Sequence, residues 1–183
     1  MQSEKLIQTL LEQTRQIINQ VEKLKTCDLN TLTWRENAVS WSILECLEHL
    51  NLYGDFYLPQ IEHNIKISKT NPEIEFKSGF LGNYFAQSML PKEKLNKMKT
   101  FKDKNPLNSD LDRTVLDKCI NQQIILLDLL NQSRNVSLNQ VKIQTSITSL
   151  IRLKLGDTFQ FFVNHIMRHL KQIDRIQEAM KNA

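Results

Sequence analysis

The sequence predicts an all-α protein built as a four-helix bundle, and three observations support this prediction. Apolar residues recur at steps of three, four and seven in four long segments, which is the spacing of one helix face. No strongly periodic segment alternates apolar and polar residues as a half-buried strand would. The 183 residues include four glycines and four prolines, which leaves few tight turns. At this length and with 40% hydrophobic residues, we expect residues 1–183 to form one domain with one core.

The first two helices are predicted in the N-terminal third of the chain. The apolar pattern from Leu6 to Leu24 predicts a first helix of about six turns that ends near Thr26. Ser42 and Glu45 have the spacing of a capping box, in which each side chain bonds a free backbone N–H at the start of a helix. The second helix should therefore begin there and continue into the 60s, with a kink expected at Pro59.

The third and fourth helices are predicted in the C-terminal half. The third should begin at Ser109 and follow the apolar pattern from Leu111 to Leu130. Gly156 and Asp157 are expected to end one element and to cap the fourth helix, whose apolar stripe runs to Ile176.

Two stretches fall outside these four helices. Residues 70–107 contain several prolines and glycines, so we expect a long crossover connection that carries a short helix around Leu81–Leu90. Residues 144–155 mix β-branched residues with a helical pattern, and we interpret them as a short helix that leads into the fourth.

The net charge of +4 comes from one short segment of the chain. Residues 92–104 hold six lysines and two acidic residues, which accounts for the whole excess of positive charge. Such a run can bind phosphate, but it is more often a solvated loop. No nucleic-acid motif, arginine cluster or stacking platform accompanies it, so we expect no nucleic-acid partner.

Cysteine usage and hydropathy bear on the compartment. Cys27, Cys46 and Cys119 are odd in number and have no paired spacing, which is typical of reduced thiols in a cytoplasmic protein. No signal peptide is recognisable and no stretch approaches 18 apolar residues, so no membrane segment is expected.

Three of the four histidines are candidates for one metal site. His165 and His169 are spaced i, i+4 on a predicted helix, so both imidazoles leave the same face about 6 Å apart along the axis. Such a pair alone is more often two packed side chains than a metal site. Both residues, however, flank the apolar stripe, and His49 occupies the corresponding flank of its own helix. His63 lies roughly 21 Å further along that helix, which predicts a surface residue.

Candidate helper residues stand one helical turn from these histidines. Tyr53 could donate a hydrogen bond to a bound oxyanion, and Glu45 could orient the His49 imidazole or act as a base. Gln172 could hold His169. Each has a structural alternative, which is helix capping for Glu45 and core polarity for Tyr53 and Gln172.

Two motifs carry a resemblance to a known family: Trp41-Ser42-x-x-Glu45-x-x-x-His49-Leu50 and His165-x-x-Arg168-His169-x-x-Gln172-Ile173. They resemble the DinB/YfiT-like proteins, which are bacterial four-helix bundles with a three-histidine metal centre, over about residues 34–176. The resemblance implies one divalent ion, which is nickel, zinc, iron or manganese, held by His49, His165 and His169. It also implies a homodimer.

The resemblance further implies a reaction class. Members with known activity are metal-dependent hydrolases, or transferases and isomerases that use low-molecular-weight thiols, and they act on small molecules. Three neutral imidazoles leave a divalent ion its full charge and an open position, which suits a Lewis acid that activates water or a thiol. Position 166, often acidic in relatives, is Ile166 here, which favours thiol transfer over hydrolysis. The alternative is a non-catalytic, stress-linked bundle with a structural or vestigial metal site. An open pocket lined by Tyr53 and the histidines would favour the enzyme, and a closed fourth ligand would favour the alternative.

Overall fold

The computed structural model describes residues 1–91 and 100–182, and within them the chain is mostly helical, as predicted. Six α-helices are present there: α1 (Ser3–Leu24), α2 (Leu29–Thr33), α3 (Ile43–Ile67), α4 (Phe80–Ser88), α5 (Thr114–Gln132) and α6 (Leu155–Lys181). Two short strands, β1 (Lys142–Gln144) and β2 (Arg152–Lys154), pair antiparallel. Residues 92–99, which hold most of the lysine-rich segment, lie outside the described residues.

The four long helices α1, α3, α5 and α6 share one core. Helix α1 packs against α5 and α6, and α3 packs against the same two helices. The largest fully buried side chains include Tyr57 of α3 and Phe159 and Phe162 of α6. Because each helix turns its apolar face to two neighbours, burial of these faces is the main stabilising contribution to the fold.

Helix α3 begins where the capping box predicts. The Ser42 hydroxyl accepts the Glu45 N–H at 3.2 Å, and the Glu45 carboxylate accepts the Ser42 N–H at 2.8 Å. The helix continues through Pro59 to Ile67. The short helix predicted around Leu81–Leu90 is present as α4.

Helix α5 begins later than predicted, at Thr114 instead of Ser109. The Asp112 carboxylate accepts the Thr114 N–H at 2.9 Å, so it satisfies a free donor at the start of this helix. Arg113 donates to the backbone carbonyls of Lys25 and Cys27, which fixes the entry to α5 against the end of α1.

The roles predicted for Gly156 and Asp157 are wrong. Both lie in the first turn of α6, which starts at Leu155 directly after β2. The Asp157 carboxylate instead accepts the Gly79 N–H at 2.9 Å and the Ser78 hydroxyl, and so it caps the start of α4. A Cβ on Gly82 would overlap the Asp157 side chain, so α4 approaches α6 closely at this point.

The short helix predicted within residues 144–155 is also wrong. Most of these residues instead belong to a hairpin of β1 and β2, in which Ile143 pairs with Leu153 and both side chains are buried. The residue before each of them is exposed and the residue after each of them is half-buried. Alternation over three residues is too short for a sequence pattern to show, and it was therefore missed.

A span across a membrane needs a long apolar helix. In residues 1–91 and 100–182, no helix has the length and apolar content for such a span.

Candidate metal centre

The packing of α3 against α6 brings the three candidate histidines together. His49 lies in the second turn of α3, and His165 and His169 lie on successive turns of α6. All three side chains are buried. His63, also on α3, is exposed and stands outside this group, as predicted.

The candidate ligand nitrogens of the three histidines all lie within 4.8 Å of one another. His165 Nε2 lies 3.2 Å from His49 Nε2 and 3.1 Å from His169 Nε2. Two imidazole nitrogens on one ion, at bonds of about 2.0–2.1 Å, would lie about 3.0–3.4 Å apart. The lone pair of one imidazole nitrogen accepts one N–H, so hydrogen bonding accounts well for only one of these two contacts. The donor set therefore fits a metal ion, and the three histidines could hold one.

Burial keeps these imidazoles uncharged. It lowers the pKa of His49 to about 4 and the pKa of His169 to about 3, and it places the pKa of His165 well below its usual value. At neutral pH each ring is therefore neutral and has a lone pair to offer a metal.

Hydrogen bonds on the outer nitrogens set two of the three tautomers. His49 Nδ1 lies 2.6 Å from the Lys104 carbonyl oxygen, and His169 Nδ1 lies 3.0 Å from Gln172 Oε1. Since both partners are acceptors, each Nδ1 carries the proton and each Nε2 is free to bind metal. The predicted contact of Gln172 is confirmed. The Lys104 contact was missed, because a backbone carbonyl leaves no signal in the sequence.

Aromatic rings hold the imidazoles in place. Trp41 lies against His49, with ring centroids 4.8 Å apart, and stacks on His169 at 5.8 Å. His165 lies between Phe161 at 5.9 Å and Tyr53 at 4.6 Å. These contacts fix the ring of His165, whose Nδ1 is buried and has no hydrogen-bond partner in the described part of the chain.

Tyr53 lies beside the three histidines as the sequence predicted. Its ring centroid is 5.0 Å from that of His49. Burial, with smaller contributions from Tyr57 and Asp103, raises the pKa of Tyr53 to about 12. The hydroxyl is therefore protonated at neutral pH and remains a hydrogen-bond donor.

Glu45 is buried and its carboxylate is fully engaged. It accepts the Ser42 N–H, the Asn108 N–H at 2.6 Å and the Arg35 guanidinium at 2.6 Å. The imidazole of His49 is oriented by the Lys104 carbonyl, so these contacts give Glu45 a structural role. Its action as a base stays a prediction.

A cavity of about 890 Å³ opens onto the three histidines. This is the size of a small-molecule site. Its walls come from α3, α4, α6, the hairpin, residues 34–41 before α3 and residues 100–101, and they include Tyr53, Ser146 and Phe161. The sequence did not indicate Ser146 as a site residue, because the hairpin that carries it was predicted as a helix.

No curated protein and no solved structure matches this chain. A family model described as the DinB superfamily matches residues 10–173, a span that contains all three histidines. This match covers most of the 183 residues, so the chain belongs to the DinB superfamily.

Proposed function

We propose that this protein is a metal-dependent transferase that joins a low-molecular-weight thiol to a small electrophile. The observation that carries the proposal is the convergence of three buried, neutral imidazoles at the wall of a cavity large enough for two small reactants. His49, His165 and His169 would hold nickel, zinc, iron or manganese. When bound, such an ion would supply a Lewis acid that lowers the pKa of a thiol or of water.

The reaction forms one bond and breaks another. The thiol releases its proton to solvent, its sulfur attacks a carbon atom of the electrophile, and the leaving group departs with the electron pair of the broken bond. Tyr53 is protonated at neutral pH, so its hydroxyl can donate to a leaving group or to an oxyanion that develops there. Trp41 and Phe161 would exclude water around the histidines.

The lining of the cavity favours a thiol over water as the nucleophile. A thiol has a pKa near 8.5, whereas unbound water has a pKa of about 15.7, so a thiol needs less help from a metal ion to lose its proton. Among the described residues that line the cavity, Glu36 is the one with an acidic side chain that could serve as a base. Position 166, which is often acidic in relatives, holds the apolar and fully buried Ile166. Hydrolysis is the alternative reaction at the same centre.

The proposal also covers the bundle type, the oligomeric state and the cellular location. The mutual packing of α1, α3, α5 and α6 supports a four-helix bundle of the DinB/YfiT type, formed by residues 1–183 as one domain, with a long crossover between α3 and α5. We also propose that the protein is a homodimer, on the basis of the family resemblance. We propose a cytoplasmic location on the basis of the three unpaired cysteines. Sedimentation as a monomer at high concentration would contradict the dimer.

Thiol conjugation tests the proposed reaction. Metal-replete protein is mixed with cysteine and 1-chloro-2,4-dinitrobenzene, and the coloured thioether is followed by absorbance. Since Lewis-acid activation contributes several kcal/mol, we expect His49→Ala to lower the catalysed rate at least about a hundredfold. His63→Ala, an exposed histidine on the same helix, should leave the rate unchanged.

The non-catalytic alternative predicts that metal-replete protein neither binds nor consumes thiols across a panel of thiols and electrophiles. A sharp fall in its unfolding temperature on chelation would then assign the three histidines to a structural metal site.

A further inference from the structure

Ser146 lies in the hairpin loop just after β1, and its side chain lines the cavity together with Tyr53. The loop is fastened to α3 through Tyr57. The Ser146 N–H donates to the Tyr57 hydroxyl oxygen at 3.1 Å, and Ser146 Oγ lies 3.2 Å from the same oxygen. The position of the Ser146 hydroxyl is thus fixed relative to the cavity.

The donor and acceptor count assigns the direction of the Ser146 proton. Tyr57 is almost fully buried, so its hydroxyl proton needs an acceptor. Its oxygen already accepts the Ser146 N–H, and Ser146 Oγ is the acceptor within reach. Tyr57 therefore donates to Ser146 Oγ, and Ser146 directs its own proton away from Tyr57. It can point into the cavity, where the Tyr53 hydroxyl also lies within its reach.

Two stacked tyrosines connect Ser146 with the histidines. The Tyr53 ring touches His165, with centroids 4.6 Å apart, and stacks on the Tyr57 ring at 6.3 Å and 15°. Ser146 bonds Tyr57 and also lies within reach of the Tyr53 hydroxyl. A molecule in the cavity that reaches both the histidines and Ser146 would pass along Tyr53.

We propose that Ser146 is a substrate-contacting residue, whose hydroxyl donates to a carbonyl oxygen of a molecule that has its reacting end at the three histidines. Tyr57 is a positioning residue that orients this hydroxyl. The ligand class is a small thiol with a neutral carbonyl group several bonds from the sulfur. This inference rests on the proposed function, and it names the chemistry that selects the substrate.

Calorimetric binding of two thiols to zinc-loaded protein tests the inference. N-acetylcysteamine carries a carbonyl group, and 1-butanethiol lacks one. Wild-type protein should bind N-acetylcysteamine more tightly. Ser146→Ala should weaken that binding about fivefold, the effect of one lost hydrogen bond, and leave 1-butanethiol unchanged. Tyr57→Phe should act in the same direction, and Ser146→Thr, which keeps the hydroxyl, should restore the affinity.

Ser88→Ala is the matched control. Ser88 lines the same cavity, but its hydroxyl already donates to the Phe85 carbonyl at 2.8 Å, so its loss should not alter binding. An equal effect of Ser146→Ala on both thiols, or no effect on either, would overturn the inference while thiol binding stands. If wild-type protein bound neither thiol, the proposed function would fail, and the role of Ser146 with it.

Discussion

Single residues determine the chemical state of the histidine cluster. His49, His165 and His169 are buried among Trp41 and other aromatic rings, where the charged form of an imidazole is disfavoured. The contacts on the outer nitrogens are acceptors without a full charge. These imidazoles are therefore held neutral, which is the state that binds metal.

This burial predicts how the stability of the metal-free protein depends on pH. The pKa of His49 is about 4 in the folded chain and near 6.5 in the unfolded chain. Between pH 6.5 and pH 4 the unfolded chain binds a proton that the folded chain does not, so stability falls as the pH falls through this window. Each such histidine contributes about 1.4 kcal/mol per pH unit.

Urea denaturation of chelated protein at several pH values measures this effect. His49→Gln removes one of the groups, so its free energy of unfolding should vary less steeply with pH than that of wild-type protein, by about 1 kcal/mol per unit. His63→Gln should keep the wild-type slope. Equal slopes for wild-type protein and His49→Gln would show that His49 is not held neutral.

The residues of the site were predictable where helical spacing carries the signal. The spacing of His165 and His169, and of Gln172 one turn later, predicts one face of a helix, and the structure has that face. The hydrogen bond between His49 and the Lys104 carbonyl joins residues 55 positions apart and uses a backbone atom. No side-chain pattern could have predicted it.

At the scale of elements, Gly54 allows the close contact between α3 and α5. The amide of Gln122, on α5, donates to the Asn51 carbonyl at 3.0 Å and to the Asp55 carboxylate at 2.8 Å. It crosses directly over Gly54, where a Cβ would overlap the Gln122 side chain. A side chain at position 54 would therefore displace Gln122 from both hydrogen bonds.

A double-mutant cycle tests this contact. Gly54→Ala should lower the free energy of unfolding by about 1–3 kcal/mol, measured by urea denaturation, because it overpacks the contact and breaks buried hydrogen bonds. In the Gln122→Ala background the same change should cost much less, since the overlapping side chain is gone. Additive effects of the two changes would contradict the close contact of Gly54 with Gln122.

The elements were predictable in proportion to their length. Helix α3 has both a long apolar pattern and a capping box, and its start was predicted correctly. The hairpin and the start of α6 were not, because three-residue strands lack a readable period. Asp157 is a residue type that often caps a helix, so its position predicted a cap for α6. Its carboxylate instead accepts the N–H of Gly79, which lies at the start of α4 and 78 residues away in sequence. Such long-range pairing is set by tertiary packing.

At the scale of the whole molecule, the four long helices form the rigid base of the site. Helices α3 and α6 supply the histidines, while the smaller elements α4 and the hairpin form part of the cavity wall. Ligands placed on long packed helices are held more precisely than ligands on loops. The fold thus separates the candidate metal ligands on its core helices from the residues, such as Ser146, that would select a substrate.

The metal content of untagged protein tests the central claim most directly. After equilibrium dialysis against zinc, we predict one ion per chain for wild-type protein and for His63→Ala, measured by inductively coupled plasma mass spectrometry. His49→Ala, His165→Ala and His169→Ala should each lose stoichiometric binding, because each removes one of three ligands. Folded wild-type protein that binds no ion, or His49→Ala that keeps its ion while His63→Ala loses it, would contradict the three-histidine centre.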